Sequence, residues 1–260
     1  MKALINIMRG VPRYLWSGWG ALSSIFLLIA LWDYAHQSYG QLVLPAPKDS
    51  FIALWQMFQQ GDTWQDIQLT FKRAILSWVI VVGFGSVIGM VAGLFVTTSM
   101  MTRPLMTIFM GMPPIAWIIL SMIWFGMSDT SVIFTIVVAA FPLVFIGALQ
   151  GTRTLDNDLR EMAQSFNASR WMMLTDVYFP HLFSYLFPSW ITALGQSWKI
   201  VVMAELLSTN NGVGAALAVA RTQLDTVTAL ALVVIMVGSL LVVEYLLLEP
   251  IKREVEQWRK

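Results

Sequence analysis

The chain has 260 residues, 57% of them hydrophobic and only 12% charged, with a formal net charge of +1. An average soluble domain carries roughly 25% charged residues, so this much apolar surface needs lipid rather than water around it. The near-zero balance gives no basic field for nucleic acid. With no cysteine, disulfides and thiolate metal sites are excluded. His36 and His181 are too far apart to resemble a ligand pair.

Lys2, Arg9 and Arg13 precede an apolar stretch from about Leu15 to Trp32. The layout is similar to a signal peptide, but no small-x-small cleavage pattern follows. Trp32, Asp33 and Tyr34 suit the interfacial end of a retained first membrane helix. Crossing a hydrocarbon core of about 30 Å takes roughly 20 apolar residues. Segments of that kind lie at 15–35, 74–96, 105–127, 131–150, 186–208 and 227–248. The expected fold class is an all-α membrane protein with six transmembrane helices.

With the N-terminus inside, the inner set of basic residues is Lys2, Arg9, Arg13, Arg103, Arg153, Arg160, Arg170, Lys252, Arg253, Arg259 and Lys260. The outer set is Lys48, Lys72, Arg73 and Arg221, while Lys199 falls within a span. Eleven against four assigns both termini to the cytoplasm.

Between the first two spans, Pro45 and Pro47 interrupt any helix, and Phe51, Leu54, Trp55 and Phe58 then recur at helical spacing. They predict a short amphipathic helix, either lying on the outer membrane surface or packed on the bundle. Gly85, Gly89 and Gly93 form a one-face glycine stripe in the second span, which allows close helix packing in lipid. Pro113 and Pro114 remove two amide donors in the third span and predict a kink or break there. Such backbone persists in a membrane only where protein or water satisfies it, which makes the two prolines candidates for lining a pathway.

The longest inner loop, 151–185, has the pattern of two short helices. Leu159, Met162, Ala163 and Phe166 form one apolar stripe, with Asp158 and Glu161 placed like a capping box. Asn167 interrupts as a residue tolerant of the left-handed conformation. Trp171, Leu174, Val177 and Tyr178 form a second stripe expected to stop at Pro180.

The run EMAQSFNASRWMMLTDVYFPHLFSY, Glu161 to Tyr185, resembles the EAA loop of type I ABC-importer permeases, the binding-protein-dependent transport family. Glu161, Ala163 and Pro180 match that pattern in place. Asn167 stands where the family prefers Gly, Met162 replaces the first Ala, and Phe179 replaces the usual Leu. The resemblance covers about residues 65–250. PPIAWIILSMIWFG at Pro113 to Gly126 is similar to the family's P-x-x-A…WFG segment, without the second proline often seen near Ile119. GTRTLDNDLREMA, ELLSTNNGVG at Glu205 to Gly214, and LPAP at Leu44 to Pro47 resemble the nitrate, sulfonate and taurine branch.

The resemblance implies a bacterial inner-membrane, multi-pass importer subunit that is not itself an enzyme. ATP and magnesium would sit on a separate ABC ATP-binding subunit in two copies. A second permease copy, most simply of the same chain, and a periplasmic or surface-anchored solute-binding protein would complete the assembly. Absence of any G-x-x-x-x-G-K-[ST] phosphate loop agrees with that division of labour. The organisation expected is an N-terminal helix and outer segment over 1–64, a permease core over 65–250, and a cytoplasmic tail over 251–260. Glu161, Ala163, Asn167, Ser169 and Arg170 are the candidate ATPase-coupling residues, with Glu161 either at the interface or only capping its helix.

Lys199 lies deep in the fifth span, where a charge costs about 2.5–3.5 kcal/mol on insertion scales and should face the bundle interior or a water-filled cavity. Two copies would favour a small anionic solute such as a sulfonate or nitrate; the alternative is a structural charge paired with a carboxylate. Gln196 is one turn earlier on the same face. Glu205, about 240° around the helix from Lys199, completes the candidate pathway set with Pro113 and Pro114, in a gating, ligand or structural role. A rival class, an ion-coupled secondary carrier without an ATPase, predicts internal repeats and paired deep carboxylates, and neither is evident. An intramembrane enzyme lacks its motifs: neither H-E-x-x-H nor G-x-S-x-G occurs.

Overall fold

The computed structural model describes residues 19–154 and 169–248, and among them every regular element is helical. Of these residues, 19–66 and 216–248 form one compact unit, and 67–154 with 169–215 form a second.

In the first unit, α1 runs Trp19–Tyr39 and exposes Phe26, Leu27, Leu28 and Leu31, an apolar face suited to lipid. Its end is tied to the following loop: Trp32 Nε1 donates to the Pro45 carbonyl at 2.9 Å, and His36 Nδ1 lies 2.6 Å from the Leu44 carbonyl. Helix α2, Pro47–Gln60, begins with Pro47 in its first turn, where the missing amide donor costs nothing. The amphipathic helix expected from Phe51, Leu54, Trp55 and Phe58 is therefore present. It packs against α10, Thr226–Leu241, whose first turn is capped by the Asp225 carboxylate accepting from Thr228 N. A π-helical segment, Val242–Leu248, follows α10.

The second unit is organised around α6, Asp129–Arg153, with α3, Asp62–Leu94, contributing from residue 67 onward. The Gly85, Gly89 and Gly93 stripe of α3 lies directly on α6. A Cβ on Gly89 would come within 2.5 Å of the Phe145 carbonyl oxygen and 2.7 Å of Ala148 Cβ. On the other side, Gly147 and Gly151 of α6 admit Ser189 and Tyr185 of α8, Phe179–Ser208. Val81, Ala140, Val144 and Ala193 form the core where these three helices meet. Trp78 Nε1 donates to the Trp190 carbonyl at 2.8 Å, and Trp190 Nε1 donates to Ser86 Oγ at 2.9 Å, so two indoles tie α3 to α8. Lipid supplies no hydrophobic drive between helices, so close backbone approach and hydrogen bonds of this kind hold the unit together.

The kink or break expected at Pro113 and Pro114 is present, and one expectation about the following loop is corrected. The third span, 105–127, is two helices, α4 (Val96–Gly111) and α5 (Pro114–Phe125), bent by 93° at the break. Pro113 is the N-cap and Pro114 the first residue of α5, as the missing amides require, and Phe109 stacks on Trp117 across the break at 5.5 Å. With 12 residues α5 is about 18 Å long, short of a full crossing. The second loop helix, in turn, does not stop at Pro180. The short α7, Arg170–Met172, passes through a π-helical segment, Met173–Tyr178, straight into α8. The wider π turn lies just where Pro180 would otherwise crowd the carbonyl four residues back.

Three described helices are long and apolar enough to cross a membrane, rising to five if each bent pair counts as one span. The multi-pass membrane class follows. The Glu161, Ala163 and Asn167 positions lie outside the described residues.

The glycine contacts separate packing from mere smallness. Gly89→Val should lower the melting temperature of the detergent-purified protein, by a cost of about 1–3 kcal/mol for forced overpacking. Gly83→Val, with nothing within 4 Å of its Cβ position, should melt like the parent. Equal melting of the two variants would contradict the packing role.

Candidate functional site

α3 starts well before the apolar run, so Thr70, Arg73 and Ser77 fall on one helical face and turn into the bundle. Arg73 was expected among the outer loop charges; it is instead only 2% exposed, whereas its neighbour Lys72 stays exposed. A buried guanidinium must find acceptors in fixed geometry. Arg73 Nη1 donates to Glu205 Oε1 at 2.5 Å and to the Asn211 carbonyl at 2.9 Å. Nη2 donates to Asn211 Oδ1 at 2.6 Å and forms an ion pair with Asp129.

Glu205 is 0% exposed and shares its second oxygen between two donors. Thr70 Oγ1 donates to Oε2 at 2.8 Å, and Gly214 N donates to it at 3.1 Å. Val213 N donates to Thr70 Oγ1 at 3.0 Å. Glu205 and Thr70 together thus satisfy amides that the first turn of α9, Val213–Thr222, leaves unpaired. Gly212 is required at the elbow before α9. Its φ is +102°, and a Cβ would sit 2.5 Å from Glu205 Oε1. One arginine therefore joins α3, the first turn of α6, the last turns of α8 and the elbow 209–212.

The opposite end of α6 is tied to its neighbours by side chains. His181 Nε2 lies 3.1 Å from the Gly151 carbonyl and its ring packs on Tyr185, so this histidine is a tie between α6 and α8. Arg153 Nη1 donates to Ser99 Oγ of α4 at 2.8 Å. Ser169 is exposed, and its hydroxyl accepts from Met172 N at 3.2 Å as a cap for α7; Arg170 opens that helix. Asp129 and Arg153 are about 36 Å apart along α6, so the Arg73 cluster and the Arg153 tie lie at opposite ends of that helix.

Lys199 stands apart from both. It is exposed, and among the described residues it makes no ion pair or hydrogen bond. The one buried carboxylate on its helix is taken by Arg73. It lies about 14 Å along the axis from the end of α8, inside the span. Gln196, half-buried, is on the same uncovered side, while Glu205 faces the opposite, buried side. Pro113 and Pro114 build the α4–α5 break. The site residues missed from sequence are Arg73, Thr70, Asp129 and Asn211; the available signal was that a carboxylate in an apolar span demands a buried countercharge.

Three helices able to cross a membrane and two bent pairs define a multi-pass membrane protein. The chain belongs to the family of binding-protein-dependent transport system inner membrane components, which matches residues 85–250. It is 31% identical over 194 residues to the taurine transport system permease protein of Escherichia coli K12, covering 72% of this chain and 70% of that protein. It is 28% identical over 258 residues to a putative aliphatic sulfonates transport permease protein of Bacillus subtilis 168, covering 96% and 90%. The nitrate import permease protein of Synechococcus elongatus is 24% identical over 198 residues, covering 72% and 71%. This is an ABC-transporter permease of the nitrate, sulfonate and taurine branch.

Removing one member of the buried cluster leaves the other charged and unpaired. Arg73→Met should destabilise the purified protein by about 3–5 kcal/mol, and the double variant Arg73→Met with Glu205→Leu should recover much of that loss. The check is thermal unfolding in detergent, and a single variant that melts like the parent would remove the clamp from the account.

Proposed function

We propose that this chain is the permease subunit of a bacterial inner-membrane importer for a small anionic solute, driven by a separate ATPase. It acts as a pair of copies, each with six crossings and both termini inside, and a solute-binding protein delivers cargo from the outer side. The single observation that carries the pathway reading is Lys199, a cation inside a membrane crossing, uncovered and without a described partner. A charge at that depth facing lipid is costly, so an aqueous lane between two copies is its natural setting. The similar permeases named for taurine, aliphatic sulfonates and nitrate agree, because each of those solutes carries an anionic oxygen-bearing group.

Gln196 shares the lane as a neutral donor. Glu205 serves it from behind, holding α8 in place. Pro113 and Pro114 shape its wall through the broken α4–α5 crossing. Coupling runs through the 151–185 loop, where Glu161 meets the ATPase, Ala163 permits close docking, Asn167 sets the angle between the helices, and Ser169 and Arg170 start the return helix. The ties of Arg153 and His181 at the base of that loop support this, since they would pass its movement to α4, α6 and α8 together. ATP and magnesium belong to the ATPase.

Lys199→Met should abolish uptake while the ATPase still co-purifies; uptake at the parent rate in that variant would withdraw the lane assignment. Glu161→Arg should detach or uncouple the ATPase, measured by co-purification in mild detergent together with transport. Unchanged values of both would count against the docking role.

A further inference from the structure

α8 divides into two sides. Its buried residues, such as Ala193, Ser197, Val201 and Glu205, cover one side. At about 100° per residue, Pro188, Thr192, Gly195, Gln196, Lys199 and Met203 fall in one sector of roughly 100° on the other. Each of these six is exposed or half-buried.

Gly195 is the unexplained member of that strip. Glycine in a helix interior is less stable than alanine. Gly85, Gly89, Gly93, Gly147 and Gly151 each have a packing reason, because a Cβ would meet a neighbouring helix at 3.0 Å or less. A Cβ on Gly195 would meet nothing within 4 Å. Gly83 and Gly238 are also open, but Val79 and Val87 beside the first and Leu241 and Val242 beside the second are exposed hydrophobics, as a lipid-facing surface requires. Gly195 instead sits beside Thr192, Gln196 and Lys199, so the space it leaves is polar-lined.

The strip is not uniformly suited to an anion. Lys199 offers three N–H donors and Gln196 two. The Thr192 hydroxyl already donates to the Pro188 carbonyl at 2.8 Å, so it presents lone pairs and repels an oxyanion. Arg73 is neutralised by Glu205 and Asp129 and cannot compete for one. The anion seat is thereby confined to the turn between Gln196 and Lys199, with the Gly195 opening next to it.

We propose that Gly195 is a specificity-determining residue: its missing side chain sets the width of the lane beside an oxyanion seat formed by Lys199 and Gln196. This rests on the lane reading of Lys199. The seat takes a compact, singly charged oxyanion head, and the opening at Gly195 admits it past the α8 backbone. Substitution at Gly195 narrows the lane without changing its preference for charge.

The natural absence of cysteine makes the test direct. A T192C variant places a thiol one turn beyond Gly195 as seen from the Ser208 end. The assembled transporter, purified in mild detergent with its ATPase and both permease copies, is treated with two thiosulfonate reagents of similar size, one bearing a sulfonate and one a trimethylammonium group. The expected result is reaction about tenfold faster with the anionic reagent, the ratio that attraction and repulsion at about 6 Å in water produce. Adding K199M should erase that preference. Adding G195A, G195V or G195L should slow both reagents progressively, with the ratio between them unchanged. The alanine step guards against misfolding, because it fits the open space and favours the helix. If the rates ignore side-chain size at 195 while the anion preference persists, the width role is wrong and the lane stands. If T192C is unreactive, or K199M leaves the preference in place, the lane reading fails and the proposal falls with it.

Discussion

A guanidinium buried among apolar helices needs acceptors for its charge, and Arg73, bonded through both terminal nitrogens, is the point where that requirement organises the second unit. Two carboxylates, an amide side chain and a main-chain carbonyl converge on it from α6, α8 and the elbow before α9. Glu205 is fully buried whereas Asp129 is more than half exposed, so the Glu205 bond lies in the lower dielectric and is the costlier one to leave unmade. The α8 rotation that points Glu205 at Arg73 is the same rotation that turns Lys199 out of the bundle. Placing one charge inside the protein thus leaves the other uncovered.

The remainder of the unit is held by shape. α6 carries glycines and alanines on two sides and is gripped between α3 and α8, so three crossings pack at close backbone distance. The tryptophans at 78 and 190 add directional bonds where lipid offers none.

The two kinds of charge in α8 illustrate why composition alone says little about role. Lys199 and Glu205 are six residues apart in one helix, and their surroundings are opposite. Glu205 is consumed by structure: capping, ion pairing and an elbow that only glycine can make at 212. Lys199 has no structural duty among the described residues. A charge inside a crossing is expensive unless solvent or a partner reaches it.

What was legible in sequence were the features whose partners are close in the chain or written in a period. The glycine stripe at 85, 89 and 93 predicted a packing face because four-residue spacing needs only helix geometry to interpret. Pro113 and Pro114 predicted a break because a missing amide acts locally. Lys199 stood out as a charge in an apolar run, and the loop motifs carried the family. Arg73 was illegible: it adjoins Lys72 at the edge of an apolar run, and its partners lie 56, 132 and 138 residues away. The continuation of α8 through Pro180 was equally hidden, since a π turn absorbs what a proline ordinarily ends. By itself the sequence determined the membrane class, the family and the residues able to bear charge. Only the tertiary structure decided which of those charges is spent on holding helices together, because neutralisation depends on contacts between segments far apart in the chain.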